Sequence, residues 1–515
     1  MIDTSKLAPA QLEQYIHMQA AHDRQIAAEL RVQALREYYD GDHPVLLTMR
    51  QQEYLGALVS GDAFPFAHNL CRPVIDTLAE RLSVIGFDVD AQETGADADP
   101  LWGWWAANRL DVVESDVHIS ALRDGLTYVM VAYDNAEQRP RITMHQLDDG
   151  VSGIVARHDP DNPTKLEMAT RYWWQTLMTN QGTKQIERKT VYLPGEIRKY
   201  RRASAASGWE SVQDEGDTSW PLPWVDADGA PLGVAVVEFA NPGGSEIGQI
   251  IGLQNAVNKT WLDLVAAADA SGFPILALEY PNSVAPVGQD DSDIDGVDEL
   301  NFAPGRALEV YGGTAKRIDA ANLTPMLETV WAFVAAISGV TRTPQYYLRP
   351  QGGDVPSGES LKQLESGLVS RAVKRQNVFG QSWADAMELA LRVNKAYGKD
   401  AGVEPGSGIT TKWQDAQTRN ELTMAQVAQI HKALGVPDEQ NWMTLGFTPQ
   451  EIEGFRATQR ANQAANVAAI ASQLAAQRGT QNGGTGGTLR QQGQSEAGGF
   501  TQRSSTTSAN GAVVE

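Results

Sequence analysis

Asn241-Pro242-Gly243-Gly244-Ser245-Glu246-Ile247 divides the chain into two regimes. Upstream, over residues 83–239, short runs of β-branched and aromatic residues are separated by turn residues; downstream, apolar residues recur at three-and-four spacing over long stretches. The proline and paired glycines close the first regime. Ser245 opens the second as a good N-cap, with Glu246 placed favourably against the helix dipole. The helix predicted over 245–271 carries the stripe Ile247, Ile250, Ile251, Val257, Trp261, Leu264, Val265 and Ala268, and Gly272 and Pro274 stop it. At about 1.5 Å per residue it spans roughly 35 to 40 Å, long enough to join distant parts of a molecule.

Working outward on the N-terminal side, residues 9–38 read as one helix ended by the turn Asp40-Gly41-Asp42-His43-Pro44, and 67–82 as a second. Strands are predicted at 126–133, 141–145, 166–176, 187–193 and 233–239, an antiparallel meander with a few helices packed on it. Trp102, Trp104, Trp105, Trp173 and Trp174 read as core and interface filler.

On the C-terminal side come a strand-like 273–280, an acidic loop at 289–299 and a second strand near 307–311. A returning helix then starts with Thr324 as N-cap and Pro325 in the first position, and Gly339 marks its end. Residues 343–356 hold three prolines and two tyrosines and read as an ordered loop. Ser357 caps a helix reaching about Gly398, roughly 60 Å long. Leu361, Leu364, Leu368, Ala372, Phe379, Trp383, Met387 and Ala390 mark its buried face, and bends are expected at Gly367 and Gly380. A further helical region, 418–476, is broken near Gly435 and Gly446. From Arg478 onward Gly, Ser, Thr, Gln and Asn dominate and disorder is expected.

Composition narrows the function. The 42 basic residues stand against 64 acidic ones, a formal charge of −22. A tight phosphate binder is usually basic, so that class is disfavoured, whereas a wall of negative charge suits nucleic acid that must slide. Cys71 is the single cysteine, so neither an intrachain disulfide nor a cysteine zinc cluster is expected, and a reducing compartment fits. No signal core opens the chain, and the best apolar run, 330–340, is too short to span a membrane.

The search for chemistry returns little. No phosphate-cradling loop ending in Gly-Lys-Ser/Thr occurs, which argues against an encoded ATPase motor. Gly243 to Gly248 approaches a hydrolase elbow, but its second glycine falls one place late and Ser245 reads as a cap. The eight histidines are scattered without zinc spacing. Asp291, Asp293, Asp295 and Gly296 match the first half of a calcium loop, yet Phe302 stands where the bidentate glutamate belongs, so an exposed acidic loop is expected instead. No metal, cofactor or catalytic residue is expected.

Several segments resemble the portal proteins of tailed double-stranded DNA phages, above all those of actinobacteria. They are Asn69-Leu70-Cys71-Arg72-Pro73-Val74-Ile75-Asp76 running to Gly86-Phe87, Asp124-Gly125-Leu126-Thr127-Tyr128-Val129, Asn241-Pro242, Thr343-Pro344, Pro356-Ser357-Gly358-Glu359-Ser360, Phe379-Gly380-Gln381-Ser382-Trp383 and Trp413. Their order covers most of residues 35 to 420. The resemblance implies an α+β fold of portal-like architecture: an α/β wing (1–244), a two-helix stem (245–271 and 324–342), a small β-containing clip (272–323), a tunnel loop (343–357), a long wing helix with a following strand (358–414), a helical crown (415–477) and a disordered tail (478–515).

It also implies a structural, non-enzymatic subunit of a closed ring of about twelve copies with head-to-tail interfaces. That ring would sit at one capsid vertex of the virion, assembled in the host cytoplasm, for DNA packaging and ejection. Double-stranded DNA would pass non-specifically through the channel, with Gln345, Arg349 and Gln351 of the tunnel loop and Lys259 of the first stem helix facing it. The clip residues Asp291, Asp293 and Asp295 would dock the terminase large subunit and later the head-tail connector or adaptor. Major capsid and scaffolding proteins are the remaining partners, and a membrane is not among them. Two other readings stay open: another virion component, such as an adaptor or minor head protein, and a soluble enzyme with an unrecognised site.

Overall fold

The computed structural model describes residues 8–44, 68–89, 100–179, 182–204, 206–214, 216–272, 276–279, 314–317, 322–349, 358–417, 421–445, 447, 452, 454–467 and 469. Residues 1–449 form one compact unit and 450–515 a second. Of the second, residues 454–467 form a largely exposed helix.

The chain begins with α1 (Pro9–Glu29) and α2 (Val32–Asp40). The single helix expected over 9–38 is broken because Arg31 takes a left-handed φ of 49°, letting α2 turn its buried Val32, Leu35, Tyr38 and Tyr39 inward. Helix α3 (Cys71–Ala79) follows, then β1 (Val84–Val89), α4 (Pro100–Ala107) and α5 (Leu110–Asp124). Gly125 ends α5 at φ +89°, and a Cβ there would lie 3.0 Å from the backbone nitrogen of Ser245. Two distant loops are thereby held together by the absence of a side chain.

The meander has two parts. Strands β2 (Leu126–Asp134) and β3 (Arg139–Gln146) join the later β10 (Val236–Ala240) in a three-stranded sheet of order β10-β2-β3. The second sheet is built on β4 (Gly153–His158), β5 (Leu166–Thr179), β6 (Gly182–Leu193) and β7 (Glu196–Arg202), with the short β8 (Glu210–Ser211) and β9 (Leu222–Pro223) both pairing β7. Every pairing within these two sheets is antiparallel.

A 3-10 turn, Gly248–Ile250, leads into α6 (Ile251–Gly272), so the helix proper starts later than the sequence predicts. Ser245 still caps the turn: its Oγ accepts from the backbone N–H groups of Ile247 and Gly248 at 3.3 and 3.2 Å. Strands β11 (Leu276–Glu279) and β12 (Thr314–Arg317) pair antiparallel; the strand expected near 307–311 lies outside the described residues.

Helix α7 (Thr324–Thr341) carries Pro325 in its first turn, but Leu323 is the N-cap and Asn322 Oδ1 accepts from the Thr324 N–H. It runs through Gly339 and stops at Arg342, which is left-handed at φ 52°. By length and composition α7 is apolar enough to cross a membrane, where the sequence expected too short a run, yet only 22% of it is buried. Within the expected loop 343–356, residues Gln345–Leu348 form a helical turn, α8.

The longest element, α9 (Gly358–Tyr397), has 40 residues. Leu368, Ala372, Phe379, Trp383, Met387 and Ala390 are buried as their spacing predicts, while Leu364 near its start is exposed. The helix packs on the three-stranded sheet, where Trp383 meets Phe239 of β10 at 4.8 Å and Trp105 of α4 at 4.8 Å between ring centroids. Strand β13 (Ile409–Trp413) pairs antiparallel with β1. Helices α10 (Glu421–Ala433) and α11 (Asp438–Leu445) complete the unit.

Candidate channel and stem residues

The heptapeptide 241–247 acts first through Glu246. This carboxylate is 5% exposed and receives the guanidinium of Arg371 at 2.6 Å and of Arg375 at 2.5 Å, both from α9. Asn241 completes the knot, its Nδ2 donating to Glu246 at 3.1 Å and its Oδ1 accepting from Arg375 Nε at 3.1 Å. Arg371 also donates to the carbonyl of Thr341 at the end of α7. One acidic side chain therefore ties the start of α6, the end of α7 and the body of α9. Burial lowers the Arg371 pKa, with Glu246 acting in the opposite direction. A buried charge between two guanidiniums costs desolvation, but removing it would strand both cations.

Two buried amides fix the next turns of α6. Gln254 Oε1 accepts from the Leu70 N–H at 2.9 Å, and its Nε2 donates to the His68 carbonyl at 2.7 Å. Asn258 Oδ1 accepts from the His68 N–H at 3.0 Å. Tyr38 Oη donates to Asn255 at 2.8 Å. These polar residues lie within the stripe that the spacing marked as apolar, so sequence periodicity missed them. The signal was there in Gln254 and Asn258 standing four apart on the inward face.

The short α8 is anchored through Glu365 of α9. Tyr346 Oη donates to Glu365 at 2.5 Å and Tyr347 Oη at 3.1 Å, and Arg81 reaches the same carboxylate at 3.3 Å. Burial, then the bond to Glu365, raises the Tyr346 phenol well above its ordinary pKa. Thr343 is buried just ahead of the turn.

The expected DNA-facing residues separate on this scaffold. Arg349 ends α8 with its guanidinium carbon 4.3 Å from the centroid of the Trp331 ring, a stacked cation on α7. Trp331 in turn meets Trp261 of α6 edge-on at 6.1 Å. Lys259 pairs with Asp263 one turn along α6. Gln345 is half-buried at the start of α8. The structure thus brings Arg349 to the α6–α7 pair, assigns Lys259 an intrahelical ion pair, and joins Gln345 to Arg349 through the backbone, the Gln345 carbonyl accepting from the Arg349 N–H at 2.9 Å. Gln351, Asp291, Asp293 and Asp295 lie outside the described residues. Cys71 is buried, its thiol pushed up to about 12 by desolvation. Among the described residues no group of His, Cys, Asp and Glu could hold a metal ion.

The family described as phage portal protein, SPP1 Gp6-like, matches residues 17–464. A protein of Mycobacterium phage D29 named portal protein is 26% identical over 410 residues, covering 75% of this chain and 77% of its own. One of the same name from Mycobacterium phage L5 is 24% identical over 447 residues, covering 81% and 83%. Among solved structures, a chain of the native gene transfer agent virion superposes with a TM-score of 0.36 at 11% identity, over 79% of this chain and 96% of that one. An HK97 family phage portal protein from Corynebacterium diphtheriae superposes at 0.26 with 13% identity, over 72% and 97%.

Proposed function

The chain belongs to the SPP1 Gp6-like family of phage portal proteins, a structural subunit of the virion and not an enzyme, and on that premise we propose that copies of it close into a ring around a DNA channel. The observation that carries the ring is α7. Its sequence is apolar enough for a membrane, but Leu327 and Val340 are exposed on it and only 22% of it is buried within one chain. Apolar surface on that scale is stabilised by cover. Neighbouring copies around a rotation axis supply the same cover to every subunit, head to tail, in a ring of about twelve.

In this reading 1–244 with 358–414 form the wing, 245–271 and 324–342 the stem, 272–323 the clip, 343–357 the tunnel loop, 415–477 the crown and 478–515 a tail. Arg349, held over Trp331 at the end of α8, is the cation best placed to meet the phosphates, with Gln345 and Gln351 beside it in sequence. Lys259, already paired to Asp263, contributes less. The net charge of −22 per subunit keeps DNA weakly held, as sliding requires. Asp291, Asp293 and Asp295 of the clip would meet the terminase large subunit during packaging and the head-tail connector afterwards. Capsid and scaffolding proteins would surround the ring during assembly in the host cytoplasm.

Negative-stain imaging and native mass spectrometry of the purified protein test the ring; a strictly monomeric particle at all concentrations overturns it. Arg349→Gln should leave rings intact and alter DNA retention in filled heads, whereas loss of assembly would make Arg349 an interface residue. Replacing Asp291, Asp293 and Asp295 with alanine should impair packaging or neck assembly, and unchanged packaging and necks would remove the docking role.

A further inference from the structure

Strands β5 and β6 pair continuously from Ala169 opposite Tyr192 to Thr179 opposite Gly182. Their neighbours stop earlier: β4 accompanies β5 no further than Tyr172, and β7 accompanies β6 no further than Glu187. Residues 175–179 and 182–186 therefore continue as a bare two-stranded arm. Such a ribbon is marginal in water unless something packs on it. One side of it nonetheless exposes two large apolar side chains, Trp174 at its base and Met178 near its tip, 43% and 87% exposed.

At the other end of the same ribbon is a cavity of about 390 Å³, lined by Leu12, Tyr15 and Ile16 of α1, Met168 of β5, Leu193 of β6 and Pro194. Knob and hole sit on one rigid strand, ten residues apart from Met168 to Met178, which is about 33 Å of extended chain. The arm cannot fold back to fill its own cavity. Charge also fits across a join: Lys184 is exposed near the tip and Glu167 lines the cavity, where Glu196 is already paired with Arg198 and Arg157 with Asp23.

We propose that the Trp174–Met178 arm of one subunit seats in the α1–β5–β6 cavity of the next, making a head-to-tail contact of the ring. A knob and a hole at separate places on one chain generate a heterologous interface, the kind whose rotation closes a ring. The flexible thioether of Met178 suits an irregular apolar pocket, and Lys184 adds a charge contact with Glu167 at its lip. This contact rests on the ring reading above but involves neither the stem nor the tunnel loop.

The test pairs Met178→Cys with Gln19→Cys in one full-length chain, since the native Cys71 is buried and unreactive. Mild oxidation should give a ladder of covalent oligomers on denaturing gels, while neither single variant extends past a dimer. Met178→Asp, at a solvent-exposed site, should leave the monomer folded by circular dichroism and raise the concentration needed for assembly about tenfold or more. Wild-type rings with no ladder, or with assembly unaffected by Met178→Asp, overturn the arm contact and leave the ring standing. A wild-type protein that never assembles overturns both.

Discussion

At the scale of single residues the fold depends on charges placed where water is absent. Glu246→Gln leaves Arg371 and Arg375 facing a neutral amide inside the protein, and breaking a buried pair from one side costs roughly 3–5 kcal/mol. The variant should unfold at a clearly lower urea concentration, and a midpoint equal to that of the wild type would mean that solvent already reaches the site. Lys189 of β6 offers a second test. It is 1% exposed, within 2.7 Å of the His17 Nδ1 on α1, and its ammonium lies over the rings of Tyr200 and Trp209 at 5.0 and 4.5 Å. Burial, then the charge of Arg202, lowers its pKa from 10.5 to about 7. Between those values the unfolded chain holds one proton more than the folded one, so stability rises with pH across the window and declines toward neutrality. Lys189→Met should flatten that slope between about pH 7.5 and 9.5, measured as denaturation midpoints against pH. Little of this was legible in the sequence. Glu246 read as a partner of the helix dipole because its guanidiniums lie more than 120 positions away. Arg349 read as a channel residue with no sign that Trp331 would hold it. Spacing along a chain reports local faces, whereas these contacts are set by elements that meet only after folding.

The elements themselves were more legible, and the departures have local causes. The β2, β3, β5, β6 and β10 runs stand where alternation put them, and the six apolar positions from Leu368 to Ala390 are buried along α9. One helix became α1 and α2 because nothing in the residues around Arg31 announces a left-handed backbone at a non-glycine. The prolines of 343–356 concealed α8, since Pro344 can precede a helical turn as easily as prevent one. Gly367 and Gly380 read as bends, but α9 is continuous through both, and their role is proximity. A Cβ on Gly380 would come within 2.8 Å of the Trp413 indole nitrogen, whereas on Gly367 it would meet the Arg342 Cβ at 3.4 Å and the Arg342 carbonyl oxygen at 3.7 Å. Exchanging glycine for alanine inside a helix gains up to about 1 kcal/mol from propensity alone. Gly367→Ala should therefore stabilise the protein by up to that amount, while Gly380→Ala should destabilise it, as overpacking costs about 1–3 kcal/mol. Chemical denaturation of the two variants side by side decides the point. Equal stabilisation by both would show that Trp413 yields freely and that β13 is not held against α9 through that contact.

For the whole molecule the governing quantity is charge brought together. Each chain carries −22, and the proposed ring would multiply that figure while setting like surfaces side by side. In the proposed ring, assembly would be driven by apolar contacts, such as the exposed residues of α7 and the β5–β6 arm, against electrostatic self-repulsion. Repulsion is screened by salt and apolar contact is not weakened by it. Moving from about 0.01 M to about 0.15 M salt shortens the screening length from roughly 30 Å to roughly 8 Å. The fraction of protein in rings at fixed concentration should accordingly rise over that range, read by sedimentation velocity. If Arg349 meets DNA as proposed, retention of the DNA should respond in the opposite sense, weakening as salt rises. The two slopes separate what holds subunits together from what touches the cargo. Met178→Asp adds a further negative charge at an apolar contact, so its assembly defect should be partly rescued by salt, whereas Arg349→Gln should leave the assembly slope unchanged and flatten only the DNA one. If rings instead fall apart as salt rises through this range, ion pairs across the interface, and not apolar cover, hold the subunits together.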